Sequence, residues 1–150
     1  MRLVIQRVKQ ASVSVNGNPV SEIEQGLLVL VGVSHSDTPF DAQHLAHKTA
    51  KLRIFEDADG KMNRSVADIG GQILAVSQFT LYGDCTKGNR PSFIAAARPD
   101  LGETRFNEYV RALENLGFPP RTGIFGANMQ VSLLNDGPVT LLLESSGRER

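Results

Sequence analysis

"GLLVLVGV", residues 26–33, is an apolar run with no polar position in it. A half-buried strand alternates apolar and polar residues, so a run without alternation needs cover on both faces. It is far shorter than the ~20 residues of a membrane-spanning helix. The fold therefore has to lay this strand between two layers of structure.

Upstream, "LVIQRV" (3–8) is rich in strand formers, and "SVSVNG" (12–17) sets Val13 and Val15 against Ser12 and Ser14. Asn16-Gly17 turns the chain into "PVSEI" (19–23). Downstream, residues 38–52 change period. Thr38 serves as N-cap, Pro39 opens the helix, Asp41 lies in its first turn, and Leu45, Thr49 and Leu52 share a face. "FEDADGKMN" (55–63) reads as a hairpin turning at Asp59-Gly60. "GQILAVSQFTLYG" (71–83) begins as a second buried strand and runs into a loop rich in Gly, Asn, Arg and Pro. A second helix is predicted over 101–116, with Asp100 and Glu103 at capping-box spacing. Phe106, Tyr109, Val110, Leu113 and Leu116 recur at helical spacing, and Gly117 ends it.

Three strands are expected to close the chain, near 121–125, 127–134 and 138–144. Asn135-Asp136-Gly137-Pro138 between the last two has hairpin-turn chemistry. Pro138 fits less well there, since it donates no backbone hydrogen bond and is excluded from central strands. About eight short strands and two helices predict one α+β domain over residues 1–150, mostly β. The expected architecture is a twisted, antiparallel-rich sheet or partly closed barrel with both helices packed against it. The tail, 145–150, is expected to be flexible.

The 16 basic and 16 acidic residues cancel, so bulk charge does not announce a nucleic-acid partner, although a local basic patch would suffice. A single cysteine, Cys85, forms no internal disulfide. "MRLVIQRVKQ" has no signal-peptide core. A soluble, cytoplasmic protein is the expectation, with no membrane partner.

Familiar chemical motifs fail one by one. "DADG" (57–60) resembles the start of a calcium loop, but Lys61 falls at a ligand position. His44 and His47 lack a third zinc ligand at known spacing. Asp57 and Asp84 could pair with other acids only in space. There is no nucleophile elbow, no phosphate-binding loop and no dinucleotide fingerprint. Two stretches remain. "SQFTLYGD" (77–84) puts Ser77, Gln78 and Thr80 at the end of a buried strand, with Gln78 and Thr80 on one face and Phe79 on the other. It is either an ordinary strand end or a site. In "TKGNRPSFIAAARP" (86–99), Lys87, Arg90 and Arg98 surround Phe93, which suits a ligand with a phosphate and a base, or a plain solvated loop.

"SQFTLYGD", "RPSF", "TGIFGANMQVSLLNDGPVT" and "IQRVKQASVSV" together resemble the D-aminoacyl-tRNA deacylases of the D-tyrosyl-tRNA deacylase type, in order and over residues 1 to about 144. The resemblance implies a β-rich homodimer with active sites at the subunit interface. It implies hydrolysis of the ester joining a D-amino acid, or glycine, to the 3′-terminal adenosine of tRNA, with no metal or organic cofactor. Ser77, Gln78, Phe79 and Thr80 match the catalytic motif. Gly137-Pro138 matches a cis Gly-Pro pair that one subunit inserts into its partner's site, where it rejects L-aminoacyl groups. Arg7, in "QRV", is a candidate to hold that pair through carbonyl oxygens, or else a solvated strand arginine. Thr80 is a weak nucleophile without a base. The alternative is water assisted by the substrate's own 2′-hydroxyl, with the backbone N–H groups of Phe79 and Thr80 stabilising the oxyanion. Two other readings stay open: a paralogue with a trans Gly-Pro that clears L-aminoacyl-tRNA, and a non-catalytic RNA-binding module built on Lys87, Arg90 and Arg98.

Overall fold

The computed structural model describes residues 1–145. Its organising element is strand β1 (Arg2–Val15). The first half of β1 pairs antiparallel with β3 (Gly26–Gly32), from Arg2 opposite Gly32 to Val8 opposite Gly26. The second half pairs with β2 (Asn18–Ile23) across the turn at Asn16-Gly17, where both residues have positive φ. Along its other edge β1 pairs with β8 (Gln130–Glu144) over almost its whole length.

β3 continues the sheet into β6 (Gln72–Ser77), and β6 into β7 (Arg121–Thr122), both in parallel. Parallel neighbours need a crossover. Between β3 and β6 it carries helix α1 (Pro39–Lys51) and the small hairpin β4 (Phe55–Glu56) and β5 (Met62–Arg64). Between β6 and β7 it carries helix α2 (Pro99–Asn115). The sheet curls until β2 meets β7, where the Ser21 hydroxyl donates to the Thr122 carbonyl at 2.8 Å. The result is a nearly closed barrel.

The two-sided burial expected of residues 26–33 has a clear division. Leu27, Val29 and Val31 pack with Leu45 of α1 and Tyr109 and Leu113 of α2. Leu28 points the other way, into the barrel, with Val8, Val13, Ile23, Leu74 and Val76. The helices join through a buried pair: Thr49 donates to the Leu45 carbonyl, which leaves its oxygen to accept from the Tyr109 hydroxyl at 2.9 Å. Burial pushes the Tyr109 phenol well above its ordinary pKa.

Several boundaries differ from the sequence expectation. α1 starts as expected, with the Asp41 carboxylate accepting from the backbone N–H and hydroxyl of Thr38. α2 starts two residues early, at Pro99, so Asp100 is inside the first turn and the Asp100–Glu103 capping box does not form. The strand expected at 121–125 is only Arg121–Thr122, and residues 123–129 form a loop through Gly126 at φ 77°. Ser145 is not loose: it is buried and its N–H donates to the Met1 carbonyl. The rest of the expected tail lies outside the described residues.

The largest correction concerns residues 133–143. There is no hairpin at Asn135–Pro138, because β8 is one strand and both arms pair with β1. Asn135 lies opposite Val8 and Thr140 opposite Gln6, so residues 136–139 face Arg7 alone. The segment is an enlarged bulge. Pro138 can sit there because an unpaired residue loses nothing by lacking an N–H.

Candidate active site

β6 ends at Ser77, and residues 79–82 then wind into a single 3-10 turn (Phe79–Tyr82). Strand alternation therefore does not govern this motif. Gln78 and Thr80 still meet, because the Gln78 amide Nε2 donates to Thr80 Oγ1 across the turn. The Gln78 N–H is used by the Val31 carbonyl, the Leu81 N–H by the Gln78 carbonyl and the Gly83 N–H by the Thr80 carbonyl. The N–H groups of Phe79 and Thr80, at the start of the turn, have no partner among the described residues. Such groups are left over wherever a helical turn begins.

Arg2 ties the turn down from β1. Its Nη1 donates to the Leu81 carbonyl at 2.7 Å, its guanidinium lies 4.7 Å from the centre of the Tyr82 ring, and its Nε meets Glu144 at 2.5 Å. Burial, with Asp37 adding to it, raises the Tyr82 phenol to about 12. Nothing in the sequence pattern marked Arg2 for this task.

Beside the turn is a cavity of about 680 Å³. Ser77, Gln78 and Phe79 form one wall, with Phe93, Ala96 and Arg98 from the following loop. Phe125, Gly126, Asn128 and Met129 form another. Phe79 and Phe93 stand edge to face, 5.1 Å between ring centres, and both remain partly exposed. Thr80 is not part of the lining. The basic loop splits: Arg98 reaches the cavity, while Lys87 and Arg90 stay on the exposed part of the loop and do not line it. Phe125 and Met129 were missed as site residues. Their signal is an apolar pair in a glycine-broken stretch whose local pattern reads as strand.

Other candidates resolve into turns and surface. The Asp57 carboxylate accepts from the N–H groups of Asp59 and Lys61, and the Asp84 carboxylate from that of Thr86. Those bonds hold both acids below their ordinary pKa, each within its own turn. His44 stacks on Phe40, ring centres 5.8 Å apart. Cys85 is exposed.

The second motif has a different address. Arg7 is buried, with its Nε donating to the Asp136 carbonyl at 2.9 Å and its Nη1 to the Ile54 carbonyl at 2.7 Å. Its Nε also lies 3.8 Å from the Asp136 carboxylate. Opposite Arg7, Gly137 and Pro138 are exposed and their peptide bond is cis. Gly137 has φ 139°, and a side chain there would press on Arg7 and Val139. Along the sheet, the bulge is remote from the cavity of its own chain. Arg7 sits opposite Leu27 and Ile73, whereas Ser77 is in register with Val31 and Leu3. Crossing from β8 to β6 spans about 14 Å, and the offset along the strands is about 13 Å, from standard sheet spacings.

A family model described as D-Tyr-tRNA(Tyr) deacylase matches residues 4–144. The chain belongs to that family. It is 59% identical over 150 residues to the D-aminoacyl-tRNA deacylase of Chloroherpeton thalassium, covering 99% of each chain. It is 57% identical to the Thermus aquaticus protein of the same name, covering 97% of this chain and 96% of that one. Among solved structures, it resembles a c-Myc DNA unwinding element binding protein at 44% identity and a TM-score of 0.91, covering 97% of this chain and 99% of the other. A probable eukaryotic D-amino acid tRNA deacylase at 18% identity shares the fold with a TM-score of 0.79, over 95% of this chain and 98% of that one. No helix among the described residues of this family member is long and apolar enough to cross a membrane.

Proposed function

We propose that this protein hydrolyses the ester of D-aminoacyl-tRNA, and of glycyl-tRNA, freeing the tRNA in the cytoplasm. One observation carries the reading. The N–H groups of Phe79 and Thr80 are adjacent and without a partner among the described residues, and Phe79 lines a cavity with aromatic and apolar walls. The cavity takes the 3′-terminal adenosine and its aminoacyl group, and Phe79 or Phe93 offers a face for stacking. Each N–H aimed at the developing oxyanion contributes roughly 10²–10³-fold in rate.

The Thr80 hydroxyl accepts from the Gln78 amide, which cannot take a proton from it. A threonine without a base is a poor nucleophile. Water is therefore the attacking group, assisted by the substrate's 2′-hydroxyl beside the ester. Gln78 and Thr80 shape the turn that presents the donors.

Chirality needs a different device. D- and L-residues carry the same groups, and side-chain pockets discriminate by only about 1–3 kcal/mol per methylene-sized difference. An obstacle where every L side chain must point rejects all of them and spares glycine. Gly137-Pro138 is suited to this, being exposed backbone with almost no side chain and braced from behind by Arg7. It lies too far from its own cavity to act there, so it serves the partner's site in a homodimer. β8 supports that assembly: it is the open edge of the sheet and exposes Leu133, Leu134, Leu141 and Leu142.

The test is to incubate the protein with matched D- and L-tyrosyl-tRNA and with glycyl-tRNA, and to follow ester loss. The expected result is rapid loss of the D and glycyl esters with the L ester spared. Equal loss of D and L esters removes the filter. Preferential loss of the L ester identifies the L-clearing paralogue instead. Salt-dependent tRNA binding without ester loss returns the protein to a binding module.

A further inference from the structure

The Gly137-Pro138 bulge has a second brace besides Arg7, and it closes the neck of the loop. Asn135 and Val139 stand at the two ends of residues 136–138, where β8 has left its pairing with β1. The Asn135 side chain supplies the missing pairing. Its Oδ1 accepts from the Val139 N–H at 2.7 Å, and its Nδ2 donates to the Val139 carbonyl at 3.1 Å. Nδ2 also reaches Thr140 Oγ1 at 3.1 Å and Gln6 Oε1 at 3.3 Å. One amide thus acts as a strand partner to one residue, answering both its donor and its acceptor.

The chemistry restricts the position. Asp can accept from the Val139 N–H but has no donor, and Ser or Thr must use one oxygen for both bonds, whereas the Asn135 amide offers a separate acceptor and donor. Val139 itself is buried in the helix-side core. The neck is therefore fixed at both ends, Val139 by packing and Asn135 by its pairing with Val8. Beyond that neck, Gly137 and Pro138 stand exposed.

We propose that Asn135 is a positioning residue for stereochemical selection: its amide fixes the direction in which the Gly137-Pro138 backbone projects. The proposal rests on the filter reading above. A steric obstacle works only if it is rigid to a fraction of an ångström, because a loop free to swing would yield to an L side chain.

The test uses the full-length protein and two non-hydrolysable probes, 3′-(D-tyrosylamino)- and 3′-(L-tyrosylamino)-3′-deoxyadenosine. Their dissociation constants are measured by calorimetry for the wild type and for Asn135→Asp, which keeps the shape and the acceptor but loses the donors. The wild type is expected to prefer the D probe, and Asn135→Asp is expected to lose at least tenfold of that preference, with D-probe affinity within threefold of wild type. Thr140→Val, which removes one outer partner and leaves the Val139 pair intact, is expected to keep it. A D/L ratio in Asn135→Asp within twofold of wild type overturns the proposal, and so does loss of binding to both probes. A wild type without D preference refutes the filter reading itself, a distinct outcome. Should Asn135→Asp fail to fold, Asn135→Ala, which removes both the acceptor and the donors, replaces it under the same criteria.

Discussion

At the scale of the residue, the site turns on which groups are already engaged. The Thr80 hydroxyl was the obvious chemical group in "SQFTLYGD", yet it is occupied by Gln78 and lies outside the cavity lining. The backbone N–H groups beside it, invisible in any residue-type search, are the ones left open among the described residues. Thr80→Ala should therefore keep deacylation of D-tyrosyl-tRNA within about tenfold of wild type, whereas removing a true nucleophile costs roughly 10⁴-fold or more. Single-turnover rates at saturating enzyme decide between them. A collapse of that size in a variant with unchanged melting temperature would return the chemistry to the hydroxyl. Arg7 was legible only in part. Its sequence context made it a candidate to hold a carbonyl, and the structure places it on Asp136, the residue before Gly137, and on Ile54 as well.

At the scale of the element, two strands relate to their local patterns in opposite ways. β3 follows its pattern, and one glycine in it is required by close approach. A side chain at Gly26 would overlap the backbone of Gln72, its partner in β6. Gly26→Ala should push β3 and β6 apart at the start of their ladder. The expected cost is about 3 kcal/mol, or a Tm lower by roughly 6–12 °C, and differential scanning calorimetry checks it. A melting temperature within 1–2 °C of wild type would contradict the tight pairing. β8 departs from its pattern. Asn135-Asp136-Gly137-Pro138 has the composition of a hairpin turn, and local chemistry alone cannot tell a turn from a bulge. What separates them is where the flanking arms pair, and β1 is long enough to hold both. The same holds for "TGIFGANM", where Gly123 and Gly126 mark a break but not that Phe125 and Met129 would close a cavity against residues from β6.

At the scale of the whole molecule, the two motifs that matter most lie far apart along the sheet. The cavity sits at the end of β6, and the bulge lies across three strand spacings on β8. On the proposed reading, one copy does not complete the site and a second copy joined near β8 supplies the bulge. Sedimentation should give about twice the 16.3 kDa of one chain. Replacing Leu134 and Leu142 together by Glu should yield a folded monomer that no longer deacylates D-tyrosyl-tRNA. A monomer of that kind with wild-type activity and selectivity would refute a filter supplied by the partner. By itself the sequence determined the strand buried on both faces, the two amphipathic helices, the turn at Asn16-Gly17 and the small hairpin at Asp59-Gly60. Each of these is written in periodicity or turn chemistry within a dozen or so neighbouring residues. Only the tertiary structure decided that residues 130–144 form one strand, that two strand pairs are parallel, and that Asn135 clamps the bulge. It also decided that Arg2 and Arg7, five residues apart on β1, secure the turn and the bulge separately. These features depend on contacts between residues far apart in the chain, and such contacts leave no period in the sequence that forms them.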